Sequence, residues 1–364
     1  MELVQAFAPS YAKARVKFLE AAAAAGLKIE SHVHPRKGRD GETLALDVAL
    51  AGKPDAANLL IVSSGCHGVE GYCGSGVQVH ALHDGEWQEL VSRKDVALLY
   101  IHALNPYGFS HIRRVTQENV DLNRNFSDYT QPLPVNEAYR ELHALLLPAG
   151  WPPDADNAAA IAGYLQRHGM GRFQTAVTQG QHEFPDGLFF GGTAPTWSNQ
   201  TLRKVLRLYA GRARRLGWID LHTGLGPSGL GERIFACKDD AAALRRARQW
   251  WSGDGDTPIT SIYDGSSSSA VVTGLMWNAV YEECPQAEYT AIALEYGTLP
   301  LPQMIEALRA EQWLQLHPDA PADQARHIKQ QMMDAFYVNT DLWKGQIVSQ
   351  ARQAMFQAVA GLGS

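Results

Sequence analysis

Three short apolar runs each deliver a chemically useful side chain at or just past the carboxyl end, and this repetition constrains the fold of the chain more than any other feature. Residues 59–64 (LLIVSS) are aliphatic and bounded by polar turns, which predicts a buried parallel strand. Gly65-Cys66-His67-Gly68-Val69-Glu70-Gly71 follows at once. A second run, Trp218-Ile219-Asp220-Leu221-His222-Thr223-Gly224, ends in a histidine in the same way, and a third, residues 290–297, carries Glu295 where a core residue is expected. Open α/β sheets bind ligands in the crevice outside the carboxyl ends of their strands, so these side chains are expected to share that end of one sheet.

A turn that enters a helix can aim residues i and i+3 at one point, which suits His67 and Glu70 to a metal. Taken alone, the pair fits a loop histidine beside a surface acid at least as well. His222 makes a third ligand available, and two imidazoles with one carboxylate leave the fourth tetrahedral position of zinc open, the catalytic rather than the structural arrangement. Cys66, Cys73, Cys237 and Cys284 are scattered without the paired spacing of a structural zinc site and are expected to be reduced. Glu295 reads either as a general base or as an acid satisfied by an arginine, a backbone cap or the exposed end of its strand, because a buried unpaired carboxylate is costly.

The periodicity elsewhere predicts an amphipathic helix at about 10–25, strands at 43–49 and 96–103, and helices near 76–83, 136–147, 157–168, 199–216, 241–251 and 301–316. The expected fold class is α/β: a mixed, mostly parallel central sheet with helices on both faces, plus a helical C-terminal extension at about 322–364. In that extension Met332, Met333, Phe336, Leu342, Trp343, Ile347 and Phe356 are spaced to bury one side against the main domain or a second subunit. The 364 residues leave room for two domains, but chemistry spread from residue 67 to residue 295 implies one catalytic domain over 1–364 with its core at about 40–316.

A net charge of −6 with no basic stripe speaks against nucleic acid as a partner. The cluster Arg212-Ala213-Arg214-Arg215 is read as a solvated helix terminus. No apolar span is long enough for a bilayer and no targeting segment is evident, so a cytoplasmic protein without membrane association is expected.

Between the first two runs lie Asn105-Pro106-Tyr107-Gly108, Arg113-Arg114 and Val120-Asp121-Leu122-Asn123-Arg124-Asn125-Phe126. The order of an HxxE pair, an NPxG turn, an arginine, a VDLNRNF run, an IDLH strand end and a glutamate in LEYG resembles the carboxypeptidase A-like zinc metallocarboxypeptidases, over roughly residues 40–315. The flanking GCHGVEGYCGS and SYAKARVKFLEAA look most like a branch of that superfamily whose function is unassigned.

The resemblance implies one zinc ion held by His67, Glu70 and His222, with Glu295 as general base and Asp121 orienting the first zinc histidine. Arg114 is implied to polarise the scissile carbonyl, with Arg113 as the alternative occupant, and Asn123 and Arg124 to grip a free α-carboxylate. Tyr263 is either a lid residue on a mobile loop or a half-buried tyrosine in an ordinary serine-rich one. Two segments depart from the family pattern. The stretch from Tyr263 to Glu295 is long and holds Trp277 and Tyr281-Glu282-Glu283-Cys284-Pro285; the insert 149–192 either walls the cleft or is a loop with its own aromatic anchor, the latter slightly preferred.

The implied activity is zinc-dependent cleavage of an amide beside a free carboxylate in a small peptide. An N-acyl amino acid deacylase of the aspartoacylase and succinylglutamate desuccinylase kind is the alternative, disfavoured because those relatives usually end in a β-rich cap. A zinc-containing binding protein without turnover is the second. Substrate side chain and oligomeric state stay open.

Overall fold

The structure is a computed structural model that describes residues 1–252 and 257–363. In chain order the strands are β1 (Lys28–Lys37), β2 (Thr43–Ala51), β3 (Asn58–Ser64), β4 (Val96–His102), β5 (Arg215–Ser228), β6 (Gly231–Phe235), β7 (Ile259–Ser261) and β8 (Glu288–Gly297). They form an 8-stranded mixed sheet in the spatial order β1-β2-β4-β3-β5-β8-β6-β7. The centre is parallel, through β4–β3, β3–β5 and β5–β8, while β1, β2 and β6 run antiparallel to their inner neighbours. Burial on both sides explains why the central strands β3 and β4 are almost uninterrupted apolar runs.

Around the sheet lie α1 (Tyr11–Ala24), α2 (Gly71–His83), α3 (Gly85–Arg93), α4 (Pro106–His111), α5 (Glu137–Leu146), α6 (Ala155–Thr178), α7 (Trp197–Tyr209), α8 (Ala241–Trp251), α9 (Asn278–Glu283), α10 (Leu301–Leu316), α11 (Ala322–Phe336) and α12 (Asp341–Leu362). The chain leaves β3 for β4 on one side and returns to β5 on the other. Strand order therefore reverses at β3, and the crevice there opens outside the carboxyl ends of β3 and β5.

Several expectations are corrected. The helix expected at 199–216 stops at Tyr209, because the Arg214 and Arg215 amides donate to the Ala57 carbonyl and Arg215 already pairs with Asn58 as the start of β5. The arginine cluster thus sits in a turn and a strand start rather than on a helix terminus. The helix expected at 157–168 resumes beyond a break at Gly169 (φ 78°) and runs to Thr178. Strands β1, β6 and β7 were not expected; β1 is largely exposed and mixed in polarity, so it lacks the alternation that marks a half-buried strand.

The C-terminal helices pack on the sheet. The Trp343 indole donates to the Gly297 carbonyl (3.1 Å) and the Tyr296 hydroxyl to that of Ile347 (3.0 Å). The Thr223 and Thr298 hydroxyls donate to the carbonyls of Phe336 and Ala335, each at 2.6 Å, and tie the end of α11 to the ends of β5 and β8. Leu342 does not join this packing: it is 75 % exposed in the first turn of α12. The four cysteines are free and buried, and no helix among the described residues is long and apolar enough to cross a membrane.

Candidate metal centre

Past Ser64 the chain turns sharply at Gly65 (φ 65°), and a tight turn over Gly68–Glu70 leads into α2. Gly68 is pressed against α4 so closely that a Cβ there would lie 2.0 Å from the Gly108 carbonyl carbon, a position only glycine can fill. The amides of Gly68 and Val69 donate to the carbonyls of Arg114 (3.0 Å) and Arg113 (2.8 Å). These contacts fix His67 and Glu70 relative to the arginine pair. From the neighbouring strand, β5 presents Asp220 and His222 on one face, as alternation along a strand requires.

His67, Glu70 and His222 converge: one ligand atom from each lies within 4.8 Å of the others, and all three side chains are buried. Glu70 bridges the imidazoles, with Oε1 at 2.9 Å from His67 Nδ1 and Oε2 at 2.9 Å from His222 Nδ1. On the outer side, His67 Nε2 lies 3.2 Å from Asp121 Oδ1 and 2.8 Å from Arg114 Nη2, while His222 Nε2 contacts Asp220. Asp220 also accepts from the Ser63 hydroxyl, which is itself held by the Trp218 indole at 2.7 Å.

The donor set fits a cation. Both nitrogens of His222 face carboxylate oxygens, yet a neutral imidazole carries one proton, so one contact needs a second proton or a metal ion. Burial opposes that proton, but Asp220 and Glu70 outweigh it and push the His222 pKa well above its ordinary value. His67 Nδ1 is buried and stands close to Glu70 without making a hydrogen bond, an orphaned polar atom at the shared point. Histidine nitrogens backed by carboxylates and one ligating carboxylate, with no cysteine among the three, are the donors zinc takes in open sites.

The two glutamates differ in charge. Burial resists ionisation of Glu70, but the two imidazoles hold it well below the usual carboxylate range. Glu295, held by the Leu225 amide at 3.0 Å, is pushed up to about 7 by burial first and then by the Glu70 charge. Two carboxyls with affinities driven apart in one cleft can do different jobs.

These groups line one cavity of about 110 Å³. Arg114, Asn123 and Arg124 join them there. Arg114 Nε donates to Asp121 Oδ2 (2.9 Å) and Nη1 to Glu70 Oε1 (3.3 Å), with the guanidinium 4.9 Å from the Phe189 ring centre. Arg124 donates only to carbonyl oxygens, those of Thr178 (3.0 and 2.6 Å) and Asn123 (2.9 Å), and pairs with no carboxylate among the described residues. Burial lowers its pKa to about 10. The Asn123 side-chain oxygen accepts from the Met276 amide at 3.0 Å.

Two expected residues are not brought to the cavity. Arg113 turns away into a buried cluster with Glu311 (3.0 Å), Gln312 (3.0 Å) and Asn119 (3.2 Å), so it does not stand in for Arg114. Tyr263 donates its hydroxyl to the Cys237 carbonyl (2.7 Å), and its neighbour Ile262 lines the cavity instead.

Sequence reading overlooked Asp220, although an acid two positions before a strand-end histidine carries the same signal that singled out Glu295. It also preferred a self-contained loop for 149–192. Thr178 and Phe189 of that insert line the cavity, and Phe336 of α11 does too. Trp277 lines it as well, with a buried indole nitrogen that has no partner among the described residues.

Comparison with solved structures places this architecture. Bovine thrombin-activatable fibrinolysis inhibitor, solved in complex with tick carboxypeptidase inhibitor, matches 98 % of this chain and 97 % of its own with a TM-score of 0.53 at 11 % identity. Carboxypeptidase A from Helicoverpa armigera matches over 90 % of this chain and 73 % of its own (TM-score 0.45, 13 % identity). A metallo-carboxypeptidase from Burkholderia cenocepacia does so over 93 % and 68 % (TM-score 0.38, 11 % identity). The first of these matches shows that the chain shares its fold with thrombin-activatable fibrinolysis inhibitor. No curated protein matches. The family model that matches, over residues 7–350, is described as a protein of unknown function, DUF2817, and it is to this family that the chain belongs.

Proposed function

We propose that this chain is a zinc-dependent hydrolase of the metallocarboxypeptidase type that cleaves an amide bond next to a free carboxylate in a small substrate. The observation that carries the reading is the shared cavity: His67, Glu70 and His222 converge at one point, Glu295 stands beside them, and Arg124 waits without an anionic partner. Held by the three converging side chains, zinc would supply a Lewis acid for the carbonyl and lower the pKa of water.

The chain's own groups do the rest. Arg124 takes the substrate carboxylate, because a buried guanidinium satisfied only by carbonyl oxygens has charge left to pair. Asn123 flanks it. Glu295 accepts a proton from the attacking water and returns it to the leaving nitrogen, so that one water and one amide become an acid and an amine. Arg114 offsets negative charge that develops on the carbonyl oxygen, a role suited to a donor already fixed by Asp121. Asp121 and Asp220 hold the outer nitrogens of the two histidines.

The test is metal analysis of the purified chain together with the Glu295→Gln variant. One zinc per chain in both proteins, with dipeptide hydrolysis abolished only in the variant, is the expected result. Stoichiometric zinc with equal activity in both would remove Glu295 from the chemistry, and a wild-type chain that takes up no zinc would overturn the reading.

A further inference from the structure

The charges lining the cavity are those of His67, Glu70, His222, Glu295, Arg114 and Arg124. Each already has an occupation. In the reading above the first four are given to the hydrolysis and Arg124 to the substrate carboxylate, while Arg114 is ion-paired to Asp121 and Glu70. Beyond them the walls are neutral. Ile234, Ala236, Ile262 and Ala293 form one apolar patch, and Ala293 lies two residues from Glu295 on the same face of β8. Met304 and Leu308 of α10 and Phe336 of α11 contribute apolar surface from the helical segments, and Phe189 adds its ring from a turn of the insert. At about 110 Å³ the space is well below the roughly 300–1,000 Å³ of pockets that enclose drug-sized ligands.

We propose that this cavity selects a neutral, apolar amino acid carrying one short, non-acidic acyl unit, and that Phe189 and Phe336 limit the length of that unit. The inference rests on the hydrolase reading above and names its substrate class. A lysyl or aspartyl side chain would leave water for walls that hold no spare opposite charge, which is costly. A succinyl or aspartyl acyl group meets the same obstacle, because the one remaining guanidinium is already engaged by carboxylates. Apolar groups meet mainly aliphatic and aromatic surface, interrupted by uncharged groups such as Ser269 and Thr178, and their transfer from water is favourable.

Calorimetry on the zinc-loaded full-length chain with 2-substituted succinates tests this without turnover, since such molecules offer one carboxylate to Arg124 and one to the metal. Benzyl- or isobutylsuccinate is expected to bind at least tenfold more tightly than the aminobutyl or carboxymethyl forms. Equal or inverted affinities would overturn the assignment. Dipeptide and tetrapeptide hydrolysis is measured beside it, with Phe336→Ala expected to raise the tetrapeptide-to-dipeptide ratio of kcat/KM at least fivefold and Phe336→Leu to preserve the wild-type ratio. An unchanged ratio in a folded Phe336→Ala protein would refute the length limit. Selective binding with no hydrolysis of any peptide would overturn the hydrolase reading alone, whereas hydrolysis without preference for neutral side chains would overturn the pocket assignment alone.

Discussion

Asp220 and His222 stand two residues apart on one face of β5, and this alternation sets a carboxylate against the imidazole nitrogen that faces away from Glu70. The buried contact fixes the ring and strengthens its inner nitrogen as a donor. Replacing Asp220 with Asn is therefore expected to weaken zinc binding by about 10- to 100-fold, the usual effect of losing such a partner. Competition with a chromophoric chelator measures it. Unaltered affinity would show that the contact positions nothing.

Arg124 is buried with carbonyl partners only, and its charge is available to a substrate carboxylate. A charge-assisted hydrogen bond contributes roughly 1.5–3 kcal/mol. The wild-type chain should prefer a peptide with a free carboxyl terminus to its amide, and Arg124→Gln should reduce that preference by about 10- to 150-fold. Equal preference in both proteins, read from kcat/KM, would assign carboxylate recognition elsewhere.

Gly68 packs so tightly on Gly108 that a methyl group cannot be accommodated without moving the turn that bears His67 and Glu70. Gly68→Ala should cost about 1–3 kcal/mol of stability, as overpacking does, and lower the zinc content as well. Thermal denaturation and metal analysis report the two effects separately.

Glu311 lies buried between Arg113 (3.0 Å) and Lys329 (2.6 Å). Burial favours its neutral form, but the two cations outweigh burial and hold its pKa below the ordinary value of 4.5. Its contribution to stability is then complete above the unfolded-state pKa and is lost as pH falls through the lower folded-state value. Glu311→Gln should destabilise the chain by about 3–5 kcal/mol at neutral pH, because buried Arg113 and half-buried Lys329 lose their countercharge. It should also flatten the loss of stability as pH falls below the ordinary carboxylate value of 4.5, which urea titrations at several pH values would reveal.

How much was legible in the sequence differs with the kind of interaction. The central strands and the convergence of His67, Glu70 and His222 could be read because a doubly buried strand must be apolar and its carboxyl end must open into the crevice. Arg114 was preferred to Arg113 through the resemblance alone. Which of two adjacent arginines faces the cleft depends on the backbone path after α4, which no local pattern encodes. Phe189 was hidden for the same reason: its contacts with Arg114 and Arg124 join segments more than sixty residues apart. Leu342 was misread because spacing alone does not reveal which residues of a helix's first turn lie beyond the surface it covers.

The two threonine bonds that anchor the end of α11 give the last quarter-turn of the fold a bearing on how the protein should be handled. A fragment trimmed just after α10 would keep all three converging side chains, both arginines and Glu295, yet would expose the flank of the cleft that Phe336 covers. Expression boundaries drawn from the motifs alone would thus keep the metal-facing residues in the chain while removing helices that pack on the sheet beneath them and close the cleft.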